Sequence, residues 1–182
     1  HPCQIMADLF TIQEKLGRLK GVRVTYVGDG NNVANSWLFG AAKMGLILTI
    51  SSPLGYEPDS DLVEKAKVIA ESTGAEIHLV PDPTQAVKIA DIVYADVWTS
   101  MGDEQEREER LKVFREYQVN ELLLGQARPD TWVMHCLPAH RGEEITSPVI
   151  DGPRSIVFDQ AENRLHTQKA IMQTLLKNSS EL

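Results

Sequence analysis

The chain has 182 residues, 42% hydrophobic and 24% charged, enough for one domain with a buried core and a terminal extension. Its 18 basic against 26 acidic side chains leave a formal net charge of −8, which disfavours nucleic acid and anionic membrane as partners and suits a cationic small molecule. No apolar run approaches a membrane span, no signal peptide is visible, and Cys3 and Cys136 form neither a CxxC nor a secreted framework, so free thiols in the cytoplasm are expected.

Pro2 suits the first turn of a helix, and Ile5, Leu9, Ile12 and Leu16 recur at helical spacing until Gly17 and Gly21 close it. VRVTYVG reads as a buried strand, GDGNN as a turn, and Val33, Trp37, Ala41 and Met44 as a second helical stripe. LILTIS is the second strand. A loop with Pro53, Gly55 and Pro58 leads to a helix over 59–72, then EIHLV as the third strand, a short helix over 84–90, and DIVYADV as the fourth. EQEREERLKVFREY predicts a polar helix whose Glu106–Arg110 and Glu108–Lys112 pairs lie on a solvated face. NELLLGQA predicts another helix and TWVMHC the fifth strand. SIVF predicts a sixth strand or a strand-like connector. A helix over 161–177 closes the chain, with Leu165, Met172, Leu175 and Leu176 on one face. Short apolar strands alternating with helices predict an α/β fold: a doubly wound, Rossmann-like parallel sheet with helices on both faces, in three layers.

Ligands of such sheets bind beyond the carboxyl ends of the strands. Asp29, Gly30, Asn31 and Asn32 follow the first strand, and Asp96, Trp98, Ser100, Met101 and Gly102 follow the fourth. His135, Cys136, Leu137 and Pro138 end the fifth. Asp159, Glu162, Asn163 and Arg164 follow SIVF. Each loop alone is ordinary, but together they converge on one rim. A dinucleotide-binding dehydrogenase module is the rival reading. It needs GxGxxG, yet Val33 stands where the third glycine belongs, and the second strand ends in Ser51-Ser52 rather than an acid. Asn31 and Asn32 sit at a helix start, where either serves as a cap. No Walker A loop, GxSxG elbow or HExxH is present, and no metal is expected.

HPCQ at 1–4, GDGNNVANS, DVWTSMG, MHCLPAHRGEE and AENR together resemble the ornithine carbamoyltransferases over essentially the whole chain. The pairing of SMG with HCLP is similar to the ornithine branch rather than the aspartate one. The family's phosphate-gripping STRTR loop is absent. The resemblance is therefore to the second, amino-acid-binding domain, and the chain reads as a fragment, inactive alone. It implies an inter-domain helix over 1–20, an ornithine-binding α/β domain over 21–160, and a terminal helix over 161–182 packing toward a carbamoyl-phosphate domain.

The resemblance further implies that Asn32, Asp96, Ser100 and Met101 hold L-ornithine. His1, Gln4, Cys136, Leu137 and Arg164 would surround carbamoyl phosphate, with Asp96, Cys136 and Arg164 catalytic. Asp96 would meet the α-ammonium or form a network with Cys136, and Leu137-Pro138 would be cis. His140 and Arg141 are expected to be structural. No cofactor is implied, and the assembly would be a homotrimer or a multiple of trimers. The open alternatives are an enzyme for N-acetylornithine, putrescine or another amine, and a non-catalytic amino-acid-binding regulator.

Overall fold

The computed structural model describes residues 1–99 and 107–179, the last two by backbone alone. Five strands form one parallel sheet: β1 (Arg23–Val27), β2 (Ile47–Ser51), β3 (Glu76–Leu79), β4 (Ile92–Ala95) and β5 (Trp132–His135). Their order is β3-β2-β1-β4-β5. β-Branched residues dominate β1 and β2 because both faces are covered, and the polar side chains buried there, Thr25 and Ser51, each donate to a backbone carbonyl, of Ala86 and Pro81. One face packs on α1 (Pro2–Leu16), α2 (Asn32–Met44) and α3 (Ser60–Thr73) through Ile5, Ile12, Trp37, Leu38 and Tyr94. The other packs on α4 (Pro83–Ala86), α6 (Glu121–Leu124) and α7 (Ser147–Ile150) through Val87, Val93, Leu123, Val133 and Val149. The three-layer expectation holds.

Strand order reverses between β1 and β4, the neighbours of the register Tyr26↔Tyr94. Chain leaves β1 toward one side and β4 toward the other, which opens a crevice at their carboxyl ends. Asn31, Asp59 and Asp82 cap α2, α3 and α4, each accepting two backbone N–H groups.

Four local expectations change. SIVF is the strand-like connector and not a sixth strand: Ser155 makes one parallel bridge to Val133, and Val157 already opens α8 (Val157–Ser179), four residues before the expected start. Val157 turns inward there, into the second core. The fourth helix stops at Ala86 instead of 90, because Val87 and Ala90 are drawn into that core. The polar helix is α5 (Arg107–Val113) followed by a 3-10 turn (Phe114–Tyr117). The tightening seats Phe114 fully buried among Tyr56, Trp98 and Tyr117, at ring distances of 4.9, 5.8 and 6.2 Å. The apolar face of α8 points outward: Phe158, Leu165 and Met172 are 69, 54 and 57% exposed. Among the described residues no helix is long and apolar enough to cross a membrane.

Candidate active site

The crevice begins at the GDGNN turn. Gly28 has φ 141°, and a Cβ on Gly30 would stand 2.2 Å from the Pro58 nitrogen. Both positions need glycine, but the space at Gly30 is taken by the Glu57–Pro58 backbone rather than left for a pyrophosphate. The turn delivers Asn31, whose Oδ1 caps α2 by accepting from Val33 N (2.8 Å) while its Nδ2 donates to Asp96 Oδ2 (2.8 Å). Asp96, just past β4 and 4% exposed, also accepts at Oδ1 from the Cys136 thiol (2.9 Å) and Val97 N (2.8 Å). The Tyr26 hydroxyl lies 3.4 Å from its Oδ2.

All these donors are neutral. Burial, and next the Asp96 carboxylate, push the Cys136 thiol up, so Cys136 stays S–H and donates. A protonated, half-buried thiol is a poor nucleophile. Burial first, and then Asp96, likewise raise Tyr26. Among the described residues no cation pairs with Asp96, so its negative charge remains uncompensated.

Next to this lies the HCLP turn. Leu137 N donates to His135 Nδ1 (2.9 Å), which leaves Nε2 to donate to Glu144 Oε1 (3.2 Å). Glu144, 1% exposed, also accepts from His140 N at 2.5 Å. Leu137 adopts φ 57° and Leu137-Pro138 is cis. Arg141 forms the outer tie, to Asp151 through two hydrogen bonds. His140, Glu143 and Glu144 bring possible metal-ligand atoms within 4.8 Å of one another. Arg107 already occupies Glu143, and two N–H groups occupy Glu144 Oε1, so the cluster reads as a loop tie.

The side chains expected at the carbamoyl group come from the helices. His1 precedes α1, its backbone nitrogen donating to Ser36 Oγ on α2 (2.7 Å). Gln4 is buried, its oxygen accepting from Arg164 on α8 and its nitrogen donating to Asp8 (2.7 Å). Asn32 is exposed at the first position of α2. The structure thus joins Asp96 to Cys136 and Gln4 to Arg164. Ser100 and Met101, like Glu106, lie outside the described residues.

Sequence reasoning missed several residues. Arg110 is not a solvated helix charge: Nη1 reaches Asp29 (2.8 Å) and the Trp98 carbonyl (2.9 Å), tying the loops after β1 and β4 together. Tyr26, Tyr94, Glu144 and Gln160 were also passed over. Asp8 had a signal, being an acid on the stripe between Ile5 and Ile12.

Parallel order, the reversal between β1 and β4 and a polar rim there define a doubly wound α/β ligand-binding domain. Residues 20–175 match the family model "Aspartate/ornithine carbamoyltransferase, Asp/Orn binding domain". The chain belongs to that family. It is 56% identical over 176 residues to the ornithine carbamoyltransferases of Syntrophus aciditrophicus and Bacillus subtilis, covering 97% of this chain and 57% and 55% of those proteins. It superposes on the ornithine carbamoyltransferase structure from Pyrococcus furiosus with TM-score 0.91 at 55% identity, covering 94% of this chain and 55% of that one. The chain therefore spans a little over half the length of these relatives.

Proposed function

We propose that this domain is the amino-acid-binding half of an ornithine carbamoyltransferase, transferring the carbamoyl group of carbamoyl phosphate to the δ-amine of L-ornithine. The observation that carries the reading is Asp96: a buried carboxylate at the crevice, fixed by neutral donors. Such a group lowers its energy by meeting a cation, and the ornithine α-ammonium is one. Asn32, exposed at the start of α2, and the Ser100-Met101 segment complete the ornithine contacts.

The δ-amine, like a lysine, is protonated below about pH 10, so it must lose a proton before it attacks. Its lone pair then forms the new C–N bond at the carbamoyl carbon. The tetrahedral state collapses as the C–O bond to phosphate breaks; phosphate leaves with the electron pair and takes the proton shed by the attacking nitrogen, the earlier ammonium proton having gone to solvent. His1 and Arg164 supply donors to the developing oxyanion, each worth roughly 3 kcal/mol when preorganised. Leu137 and Gln4 face the carbamoyl nitrogen, Gln4 by sharing the oxygen that now holds Arg164. Cys136 acts by hydrogen bonding to Asp96.

In this reading α1 and α8 bridge to a carbamoyl-phosphate domain, which the exposed Phe158, Leu165 and Met172 support. The enzyme would be a cytoplasmic trimer or a multiple of one. Citrulline formation by the full-length enzyme is the test. Turnover of putrescine or N-acetylornithine without turnover of ornithine would overturn the assignment, and sedimentation analysis checks the trimer.

A further inference from the structure

Asp8 sits on the apolar stripe of α1 with no exposed surface. Its carboxylate accepts hydrogen bonds from three elements: Gln4 Nε2 on its own helix (2.7 Å), Gln160 Nε2 on α8 (2.7 Å) and the Tyr94 hydroxyl on β4 (2.9 Å). Both glutamines continue outward. Arg164 Nη1 donates to the Gln4 oxygen, and the backbone N–H of His135, the residue before Cys136, donates to the Gln160 oxygen (2.9 Å). A primary amide has one donor end and one acceptor end. Anchoring both donor ends on Asp8 therefore decides where both acceptor ends point.

We propose that Asp8 is a positioning residue for the carbamoyl half of the site, orienting Gln4 and Gln160 and, through them, the Arg164 guanidinium and the start of the HCLP turn. This rests on the function proposed above. A leucine of the same shape would fill the apolar stripe without an ionisable group, so the acid is held here at a cost in stability. Burial raises its pKa to about 7 against the hydrogen bonds from Gln4, Gln160 and Tyr94 and the charge of Arg164. Positioning survives protonation, because Oδ1, which takes both glutamines, remains an acceptor when Oδ2 carries the proton toward Tyr94.

The experiment is steady-state kinetics of the full-length enzyme with Asp8→Leu and Asp8→Asn, each substrate varied in turn. Asp8→Leu should lower kcat/KM for carbamoyl phosphate about 10- to 100-fold while KM for ornithine moves by about twofold or less. Asp8→Asn keeps an oxygen for both glutamines and should recover to within about threefold of the parent. Parent-like constants in a folded Asp8→Leu, equal damage in the two variants, or parallel changes for both substrates would each overturn the proposal. If Asp8→Leu does not fold, Gln160→Met decides: it removes the Asp8–Gln160–His135 branch, leaves the Gln4–Arg164 branch in place, and should cost about fivefold or more in kcat/KM for carbamoyl phosphate. No loss there overturns the proposal. A parent that makes no citrulline removes the function itself, and this proposal with it.

Discussion

Asp91 and Asp96 bracket the same strand, and both are buried, at 8 and 4% exposure. At the amino end Asp91 accepts from Arg23 N (2.9 Å) and from Arg128 Nη1 (2.8 Å), with Arg18 Nη2 3.9 Å away. Its charge is neutralised, and the group closes the bottom of the sheet. At the carboxyl end Asp96 is held just as fully, but by a thiol, an amide and a backbone N–H. Hydrogen bonds from neutral donors fix a carboxylate's position without cancelling its charge. Five residues apart, one acid is neutralised by the fold and the other keeps its charge at the crevice, where the proposed function puts the ornithine α-ammonium.

The largest effect should follow from removing that unfinished charge. Asp96→Asn in the full-length enzyme should cut kcat/KM for ornithine by about 100- to 1000-fold, since a lost charge-assisted contact in a dry site is worth roughly 3–4 kcal/mol. Stability should fall by no more than about 1–3 kcal/mol, because the amide keeps one acceptor oxygen while its nitrogen leaves a single N–H, of Val97 or Asn31, without an acceptor. The opposite pattern is expected for Asp91→Ala: a loss of about 1–3 kcal/mol in denaturant unfolding, from the orphaned Arg23 N–H and the lost Arg128 Nη1 contact, with unchanged turnover per folded molecule. If both substitutions act on stability alone, the contrast fails.

Asp8 sharpens the comparison as a third buried acid, held by neutral donors but sealed from any ligand. The folded protein retains its proton to about pH 7, whereas an unfolded aspartate releases it near 3.8. Stability should therefore fall as pH rises through that window, by an amount on the order of 4 kcal/mol. Asp8→Asn should flatten that slope and unfold at higher denaturant concentration than the parent above pH 7. Equal slopes for the two proteins in unfolding at pH 5 and 8 would contradict the burial argument.

Cys136→Ala comes next in size. If the thiol donates to Asp96 and does not attack, turnover should fall by about 10-fold and persist, the cost of one hydrogen bond to a charged group. Abolished turnover, or trapping of a carbamoylated Cys136 by mass spectrometry, would show a covalent role.

Periodicity and strand composition made the sheet, its layers and its rim legible, because burial on both faces forces apolar strands and a polar carboxyl edge. The meeting of Asp96 with Cys136 was legible through motif likeness. Three things were not. Arg110 looked like one more charge on a charged helix, and only the fold shows it crossing to Asp29. Asn31 rather than Asn32 grips Asp96, since a cap's free amide hydrogen has no signature in sequence. Tyr94, Gln160 and Asp8 come from distant segments, and side-chain networks of that kind follow from packing, not from spacing.

The HRGEE segment carries the same contrast at its smallest scale. Glu144 is the inner tie: its buried oxygen fixes the His135 ring and the His140 amide, so it determines where Leu137 and Cys136 stand. Arg141 is the outer tie, and both it and Asp151 are about half exposed. The pair raises the arginine and lowers the aspartate through their mutual hydrogen bonds, yet solvent competes for every one of them. Arg141→Ala should leave kcat and both KM values within about twofold of the parent, because exposed pairs contribute little and the inner tie holds without it. Glu144→Gln forces an amide N–H or a turned ring on His135, and should lower kcat/KM for carbamoyl phosphate more than Arg141→Ala does. The reverse ranking, measured in parallel assays, would mean that the outer pair and not the buried acid holds the turn.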